Sequence, residues 1–340
     1  MLHRSVLATA RAAAGVACAA VATTTSSPDA GSARCHGAAQ ADPEFSRAST
    51  KPGPRKELLF GIPKKGRLHE KIVKMLEGAG LEYTRQPRLD IARCTDVPVS
   101  LVFLPAADIA AYVGEGNVDL GITGEDIVTE SEVDVVELMK LGLGKCRLSV
   151  QAPKGTYTNA DGLAGKRIVT SFPILTKKYF SALENGSPTK IKCISGSVEA
   201  SCGLGLADGI VDLVETGTTM RAAGLEEVSV IMQTQTVLIA NPHTEHGELI
   251  ETLRKRIAGY LTANRYMMVT YNAPRAKLDV VKAITPGKKS PSVQPLETPD
   301  WVAVSALVEK RRAAKVMDDL EAAGATDILL TAIQASRMGD

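Results

Sequence analysis

The sequence predicts an α/β protein with two lobes around a central cleft, followed by a smaller C-terminal α/β domain. From residue 57 onward, short apolar runs alternate with stretches whose apolar residues recur at helical spacing. This alternation is typical of βαβ units and a mainly parallel sheet. A long β-rich run, 228–241, could return the chain from a second lobe to the first. Beyond Tyr266 the order of strand and helix patterns changes, which indicates a separate compact unit.

Length and composition are typical of a globular protein with no electrostatic preference for nucleic acid. The chain has 340 residues, which predicts two or three domains. Its 40 basic and 38 acidic side chains leave no basic excess for nucleic acid or a membrane surface, so neither partner is expected. The 6 cysteines form no CxxC pair and have no histidine at metal-ligand spacing. Reduced thiols in an intracellular compartment fit best.

Residues 1–55 differ in composition from the rest and are predicted to be a disordered leader or a targeting extension. Ala, Ser and Thr dominate, arginines are scattered through the segment, and no acidic residue precedes Asp29. This composition is typical of an organelle transit peptide, whereas the apolar run 16–22 is of the kind that signal peptides carry. That run is too short to span a membrane. Pro52 and Pro54 mark the start of the folded body.

Each element is predicted from its own pattern. Apolar runs bounded by polar or Gly/Pro turns predict strands at 58–62, 99–104, 118–122, 147–151, 166–170, 190–194 and 210–214. Apolar residues at helical spacing predict helices at 67–80, 106–113, 174–183, 198–207 and 245–261. The C-terminal unit is predicted to hold strands 267–271, 301–308 and 327–333, helices 277–284 and 312–322, and a Pro/Gly/Lys loop through Pro295, which gives a βαββαβ-like or similar α/β sandwich.

The domain boundaries follow from turn-rich stretches. Lobe I is predicted to comprise residues 56–150 together with 231–264, lobe II residues 151–230, and the C-terminal domain residues 265–340. Small ligands bind in clefts between lobes, so the chemistry is expected where loops of both lobes meet.

The segment 209–220 carries the strongest candidate site. An apolar run with two carboxylates, Asp212 and Glu215, ends in a small polar turn before a helix-like stretch. The turn consists of Thr216, Gly217, Thr218 and Thr219. Its backbone N–H groups and hydroxyls could converge on a phosphate, and the carboxylates could face a ribose or a magnesium ion. A threonine-capped turn between a strand and a helix is the alternative.

The loop 61–67 is a second candidate because it places three cations between a strand and a helix. Lys64, Lys65 and Arg67 suit a polyphosphate, although the loop lacks the spacing of a Walker A motif. A solvated, lysine-bearing turn is the alternative.

Two further segments could border the same cleft. In 119–126 a strand ends in a small-residue turn, where Gly121 and Gly124 would allow a planar ligand to approach the backbone or would only permit tight packing. In 196–200 Ser197 is a candidate helix cap, and Glu199 would complement the helix dipole unless it shares a cleft with 209–220.

Together these segments resemble the ATP phosphoribosyltransferase family in its long, regulated form, over nearly all of residues 57–340. The resemblance is carried by 62–68 (IPKKGRL), 88–92 (RLDIA), 119–124 (DLGITG), 146–148 (CRL), 166–171 (KRIVTS), 196–199 (GSVE), 211–219 (VDLVETGTT), 301–304 (WVAV) and 324–329 (GATDIL). The stretch 103–109 (FLPAADI) is similar to the fungal version, whereas many bacterial relatives have an arginine there. One pyrophosphate contact therefore stays unassigned.

The resemblance implies a fold and a reaction. The core would be a two-lobed, periplasmic-binding-protein-like (type II) catalytic unit, and the C-terminal domain would be ferredoxin-like (ACT-like). The reaction would be the first step of histidine biosynthesis, in which N1 of ATP displaces pyrophosphate from C1 of phosphoribosyl pyrophosphate (PRPP). Mg²⁺ would be required and would arrive with the substrate, with Glu199 as its candidate protein ligand. Positioning and charge stabilisation would then carry catalysis, without a protein nucleophile.

The resemblance also implies site residues. The PRPP contacts would be Asp212, Glu215, Thr216, Gly217, Thr218 and Thr219, and the catalytic residues Asp212, Glu199 and Arg88. The ATP contacts would be Lys65, Arg67, Asp119, Gly121, Thr123 and Gly124. Histidine would act as a feedback effector on the C-terminal domain, around Ala325, Thr326, Asp327, Leu329 and Thr331.

The resemblance further implies a homo-oligomer between dimer and hexamer. A cytoplasmic location is expected, or a mitochondrial or plastid one if residues 1–55 are a transit peptide. Two other functions stay open at this point: a two-lobed binding protein without catalysis, and a phosphoribosyltransferase with another acceptor base. The acid-plus-Thr-Gly-Thr-Thr turn and the C-terminal domain disfavour the first. Only the segments 61–67 and 119–126 could distinguish ATP from another acceptor base, and they do so by resemblance.

Overall fold

A computed structural model describes residues 56–86, 88–184 and 186–337. The predicted leader 1–55 lies outside these residues. The strands are β1 Leu58–Pro63, β2 Ile91–Arg93, β3 Val99–Leu104, β4 Leu120–Gly124, β5 Val136–Lys140, β6 Cys146–Pro153, β7 Arg167–Thr170, β8 Lys190–Cys193, β9 Gly209–Val214, β10 Leu225–Thr234, β11 Thr236–Ala240, β12 Tyr266–Pro274, β13 Ser292–Pro295, β14 Trp301–Glu309 and β15 Thr326–Ala332. The helices are α1 His69–Gly78, α2 Ile109–Gly114, α3 Glu125–Ser131, α4 Pro173–Ser181, α5 Ala200–Gly203, α6 Thr218–Ala222, α7 Gly247–Arg265, α8 Leu278–Ile284 and α9 Ala313–Ala322.

Lobe I is built on a sheet with the strand order β2-β3-β1-β4-β11-β5. β1 pairs in parallel with β3 and β4, whereas β2, β11 and β5 join as antiparallel strands. On one face, Phe60 and Leu101 form a core with Ile72 of α1 and Leu253 of α7. On the other face, α2 packs through Ile109 and its neighbours. Because both faces are covered by helices, the strands are apolar along most of their length.

Lobe II is built on a second sheet with the order β10-β6-β9-β7-β8. β7 pairs in parallel with β8 and β9, whereas β6 is antiparallel to β9 and β10. The prediction of a mainly parallel sheet is therefore wrong for both lobes, which are mixed. Connectivity explains two of the antiparallel strands: β6 and β11 each follow a crossing between the lobes and enter their new sheet against the direction of its parallel strands. β2 is antiparallel to β3 at the edge of lobe I without such a crossing.

The chain crosses between the lobes twice, after β5 and after β10. β10 and β11 are separated only by Gln235, so the predicted β-rich run 228–241 does carry the chain from one sheet to the other. The second sheet spans residues 146–234, which is wider at both ends than the predicted 151–230. The predicted helix 198–207 is reduced to the single turn of α5.

Two buried carboxylates join the lobes beside these crossings. Asp126 of α3 accepts a hydrogen bond of 2.7 Å from the hydroxyl of Thr234 at the end of β10. Glu130, also on α3, accepts the backbone N–H groups of Ile174 and Leu175 in the first turn of α4, at 2.8 and 2.9 Å. Burial raises the pKa of both carboxyls. Because Glu130 takes up two N–H groups that no helical carbonyl can reach, it fixes α4 of lobe II against lobe I.

The C-terminal domain has the order β13-β14-β12-β15, with all neighbours antiparallel. Alternate residues of β14 are buried, and they pack with Tyr271 of β12 and Leu320 of α9. With α8 and α9, this order gives the predicted βαββαβ unit. It includes a strand, β13, inside the segment that the sequence left as a loop. No helix of the described part of the chain is long and apolar enough to cross a membrane.

Candidate active site

The candidate site lies where the carboxyl ends of the parallel strands of both sheets are followed by loops. In lobe I, β1 is followed by residues 64–67 and β4 by α3. In lobe II, β9 is followed by residues 215–217 and α6. In α/β sheets, ligands bind outside the carboxyl ends of the strands. This edge therefore brings together the loop with three cations and the threonine-rich turn.

The threonine-rich turn has the backbone that a tight loop requires. Gly217 is buried and has φ of +73°, in the left-handed region that disfavours residues with a Cβ. The hydroxyls of Thr216 and Thr218 lie 3.0 Å apart, and both residues are exposed together with Thr219. The turn thus presents three hydroxyls and the first N–H groups of α6 at one place.

Asp212 lies three residues before Glu215, within β9. Its Oδ1 accepts the backbone N–H of Leu213 at 2.8 Å. Burial raises the pKa of the Asp212 carboxyl; the Leu213 N–H works in the opposite direction, and the negative charge of Glu199 adds to the rise. The charge of Glu199, which precedes α5, therefore acts on Asp212 beside the threonine-rich turn.

The cationic loop of lobe I is organised by an aspartate. Asp90 lies 2.7 Å from Nζ of Lys64 and 3.3 Å from Nη2 of Arg85. The hydrogen bond from Lys64 lowers the pKa of the Asp90 carboxyl. The guanidinium carbon of Arg85 lies 3.8 Å from the centre of the Phe103 ring, a cation–π contact. Asp90 therefore holds two cations near the end of β1.

A salt bridge connects the two loops across the cleft. Nη1 of Arg67 lies 2.5 Å from Oε2 of Glu215, and both side chains are largely exposed. Arg67 belongs to lobe I and Glu215 to lobe II, so the contact places the two candidate loops opposite each other. Lys65 and Arg88 are also exposed at this end of lobe I, and neither has a hydrogen-bond or ion-pair partner among the described residues.

Arg88 has φ of +68°, which is uncommon for a residue with a side chain. Such conformations persist where the surroundings impose them, and they are frequent at ligand sites.

The residues of β4 divide between the two ends of the strand. Gly124 stands at the carboxyl end, and Thr123 donates a hydrogen bond of 2.8 Å to the carbonyl of Ala106. Gly121 lies in mid-strand, where a Cβ would come within 2.8 Å of Ile109 and Val113. Its role is therefore the close packing of α2 on the sheet.

Asp119 is not brought to the candidate site. Its Oδ2 accepts the N–H of Leu59 at 2.9 Å, and its Oδ1 accepts the hydroxyl of Thr244 at 2.9 Å. Five residues of strand separate it from Gly124, a distance of roughly 16 Å. The prediction that Asp119 borders ATP is therefore not supported, because both carboxylate oxygens are used at the opposite end of the strand.

Several charged residues near the site were not singled out from the sequence. Lys64 was named only as part of the cationic loop, and Arg85 and Asp90 become relevant because Asp90 contacts both Lys64, directly after β1, and Arg85. Arg221 lies over the threonine-rich turn, since a Cβ at Gly217 would come within 2.7 Å of its guanidinium. Arg221 follows the turn at helical spacing, a signal that the sequence did contain.

Comparison with known proteins matches the whole of this architecture. The model of the ATP phosphoribosyltransferase family matches residues 105–259, and that of its C-terminal domain matches residues 263–335. The chain is 50% identical over 287 residues to the ATP phosphoribosyltransferase of Yarrowia lipolytica, covering 83% of this chain and 97% of the relative. The chain belongs to the ATP phosphoribosyltransferase family. The enzyme of Saccharomyces cerevisiae is 49% identical over 288 residues, with the same shares covered.

A solved structure described as an ATP phosphoribosyl transferase (HisG:HisZ) complex from Thermotoga maritima is similar with a TM-score of 0.52 and 29% identity. It covers 59% of this chain and 98% of that chain. The predicted family, its long form with a C-terminal domain and its likeness to fungal enzymes are thereby confirmed. So are the α/β core with its two mixed sheets and the reaction, transfer of a phosphoribosyl group from PRPP to ATP in histidine biosynthesis. A binding protein without catalysis and a transferase with another acceptor base are not supported.

The residues predicted to contact histidine are split by the C-terminal fold. Ala325 is buried in the core of the domain, whereas Asp327, Leu329 and Thr331 are exposed along β15. Oδ2 of Asp327 accepts a hydrogen bond of 3.0 Å from the amide of Asn272 on β12. The split follows from where β15 begins: Ala325 precedes the strand and packs in the domain core at the end of α9, whereas the other four residues lie within Thr326–Ala332.

Proposed function

We propose that PRPP binds on lobe II and the polyphosphate of ATP on lobe I, so that transfer takes place across the cleft between the two loops. The observation that carries this proposal is the contact between Arg67 and Glu215, which sets the two loops within the length of one salt bridge. In this assignment Asp212 accepts hydrogen bonds from the ribose hydroxyls. The 5-phosphate lies against the turn 216–219.

The arrangement suits a displacement without a covalent enzyme intermediate. N1 of the adenine forms a bond to C1 of the ribose while the bond from C1 to the pyrophosphate oxygen breaks, and the bonding electrons leave with pyrophosphate. Negative charge grows on the leaving group, where cations fixed in advance stabilise it. The lobe I loops supply such cations: Lys64, Lys65, Arg67, Arg85 and Arg88. Glu215 keeps Arg67 at the cleft until a phosphate replaces it.

Magnesium is proposed to enter with the pyrophosphate. Mg²⁺ usually takes one or two protein carboxylates together with substrate phosphates and water, rather than a dedicated cage of side chains. The described residues contain no cluster of three or more His, Cys, Asp or Glu side chains able to hold a metal, whereas Glu199 and Asp212 offer carboxylate oxygens beside the phosphate turn. These donors fit Mg²⁺, with Glu199 as the protein ligand. When bound, the ion would neutralise charge on the leaving pyrophosphate.

The residue assignment is tested by measuring phosphoribosyl-ATP formation from ATP, PRPP and Mg²⁺. Asp212→Asn and Thr219→Val are expected to lower kcat/KM for PRPP at least about tenfold, the size of one hydrogen bond to a charged group, with little change in thermal stability. Thr129→Val is a matched control, since that hydroxyl bonds only the carbonyl of Glu125 within α3. Loss of fold in parallel with loss of activity would return the turn to a purely structural role.

The C-terminal domain is proposed to bind histidine and to mediate a dimer-to-hexamer equilibrium. Exposed polar groups along β15, Asp327 and Thr331, could pair with the amino and carboxylate groups of the effector. Asp327→Asn and Thr331→Val are then expected to weaken inhibition by histidine while leaving kcat unchanged, and sedimentation velocity with and without histidine reports the oligomer. Unaltered inhibition in both variants would place the histidine site elsewhere in the domain.

A cytoplasmic location is proposed for the enzyme, with a mitochondrial or plastid location as the alternative if residues 1–55 act as a transit peptide. Fractionation of cells that express the full chain with a C-terminal tag distinguishes the two. A shortened product in an organelle fraction would establish the alternative.

A further inference from the structure

Three polar side chains stand in a row on one face of β6, in the middle of the lobe II sheet. They are Arg147, Ser149 and Gln151. The guanidinium of Arg147 donates to Oε2 of Glu227 at 2.5 Å, and the amide of Gln151 donates to the backbone carbonyl of Asp212 at 3.2 Å. The first and the third residue of the row therefore have partners on the neighbouring strands.

Ser149, between them, has none. Its side chain is 0% exposed, and its Oγ has no hydrogen-bond partner in the part of the chain that the structure describes. A buried hydroxyl without a partner destabilises a fold, because water is lost and nothing replaces it. Such a group calls for a specific explanation, and in an enzyme one explanation is a hydrogen bond that forms only when substrate is bound.

The residue directly opposite Ser149 on β9 is Asp212. Opposite residues of an antiparallel pair send their side chains to the same face of the sheet, with Cβ atoms about 4.5–5.5 Å apart. Oδ1 of Asp212 is used by the N–H of Leu213, whereas no hydrogen bond to Oδ2 is found within the described residues. A buried donor and a carboxylate oxygen, both without partners, thus face the same side of adjacent strands.

We propose that Ser149 is a positioning residue for Asp212: its hydroxyl donates to the free carboxylate oxygen when the ribose hydroxyls of PRPP draw Asp212 into its bound conformation. The inference rests on the proposed contact between Asp212 and the ribose. Ser149 does not touch the substrate, because its own hydroxyl is buried. It acts by fixing the acceptor.

The surroundings favour a neutral donor at this place. Glu199 adds negative charge near Asp212, and the nearby Arg147 is already paired with Glu227. A cation beside Asp212 would compete with the ribose for its carboxylate, whereas a hydroxyl orients one oxygen and leaves the other for the substrate. Ser149 therefore supports Asp212 without neutralising it.

The test is a double-mutant cycle with Ser149→Ala, Asp212→Asn and the double variant, in the full-length enzyme. Ser149→Ala is expected to lower kcat/KM for PRPP about tenfold, the size of one charge-assisted hydrogen bond, and to change KM for ATP by less than about twofold. Its melting temperature should stay equal or rise, because an unpaired hydroxyl is removed. In the Asp212→Asn background, the same substitution should change kcat/KM by less than about twofold.

Thr236→Val is the matched control. Thr236 is the other buried hydroxyl without a partner among the described residues. It lies on β11, opposite Gly124 of β4, and not beside Asp212. The Thr236→Val variant should have an equal or higher melting temperature, and its kcat/KM for PRPP should stay within about twofold of that of the parent enzyme.

The outcomes separate the inference from the function on which it rests. If Asp212→Asn lowers kcat/KM for PRPP and Ser149→Ala does not, or if the two losses simply multiply, the positioning role of Ser149 is wrong. If Asp212→Asn itself has no effect, the proposed contact between Asp212 and the ribose fails first. A fall in melting temperature for Ser149→Ala would show that the hydroxyl has a structural partner in solution.

Discussion

Arg67 and Glu215 are 148 residues apart in the chain, yet Nη1 of the first lies 2.5 Å from Oε2 of the second. The contact joins the loop after β1 in lobe I to the loop after β9 in lobe II. Exposed ion pairs contribute little to stability, about 0–1 kcal/mol. In the proposed function its value is positional, because Glu215 would hold the guanidinium of Arg67, a proposed phosphate ligand, at the mouth of the cleft while the substrate is absent.

Substitutions of the two partners are therefore expected to differ. Arg67→Ala should raise KM at least about tenfold for ATP or for PRPP, whichever substrate's phosphate Arg67 binds, since a charge-assisted hydrogen bond to that phosphate is lost. Glu215→Gln should leave both KM values within about threefold, or lower them, since phosphate no longer competes with a carboxylate. Steady-state kinetics with ATP and PRPP varied in turn measures both effects.

Glu132→Gln is the matched control for Glu215→Gln, because Glu132 forms an exposed ion pair of 2.6 Å with Lys178 that also joins the lobes. Glu132→Gln should change neither the KM for ATP nor the KM for PRPP. If Arg67→Ala and Glu215→Gln gave equal increases in KM, the pair would serve only to hold the lobes together.

Gly217→Ala should reduce activity more than stability. The residue has φ of +73°, so a Cβ costs about 1 kcal/mol in backbone strain and also approaches the guanidinium of Arg221. A displaced turn would misplace its N–H groups, and kcat/KM for PRPP should fall at least about tenfold.

Gly224→Ala provides the comparison, because Gly224 has φ of +71° and open space around its Cβ position. Its melting temperature should fall by a similar amount, but its kcat/KM should stay within about twofold of the parent. Equal kinetic losses in the two variants would mean that the turn 216–219 is not a phosphate site.

Asp119→Ala should destabilise the enzyme without changing KM for ATP. The substitution removes the acceptor for the N–H of Leu59 and for the hydroxyl of Thr244, which should cost about 2 kcal/mol of unfolding free energy. Thr244→Val removes only one of these bonds and should cost about 1 kcal/mol. Urea unfolding and ATP kinetics decide the matter; a rise in KM for ATP at unchanged stability would instead restore the role predicted from the sequence.

Asp208 should make stability depend on pH at the acidic end. Hydrogen bonds from Arg167 lower the pKa of its carboxyl from 3.8 to about 2. A carboxyl with a lowered pKa in the folded state contributes stability above its unfolded pKa and loses it as pH falls through the folded pKa. The full shift would correspond to about 2.4 kcal/mol, and solvent screening around the half-exposed Arg167 reduces the expected contribution to about 1 kcal/mol.

Asp208→Asn should therefore be less stable than the parent by about 1 kcal/mol above about pH 5, and the difference should vanish near pH 2. Urea unfolding of both proteins across this range measures it. A difference that stays constant with pH would show that the carboxylate charge is not what Arg167 stabilises.

Much of the architecture could be predicted from local patterns. The strands around Phe60, Leu101 and Ile210 were predicted because buried β-strands read as apolar runs, and α1 because its apolar residues recur on one face. Strands β2, β5 and β13 were missed because their residues are mostly exposed, so no hydrophobic pattern marks them. The antiparallel direction of β6 and β11 depends on where the chain crosses between the lobes, which periodicity does not encode.

The sequence by itself was enough to nominate the turn Thr216 to Thr219, the cationic loop and the carboxylate of Asp212 as candidates, because composition and spacing within one short segment favour a phosphate site. Only the tertiary structure decided which distant groups meet. It placed Glu215 against Arg67, folded Asp90 onto Lys64, and moved Asp119 away from the cleft to bond Leu59. It also set the unpaired hydroxyl of Ser149 opposite Asp212. The physical reason is that strand register and lobe packing, rather than neighbouring residues in the chain, determine the partner of each polar group.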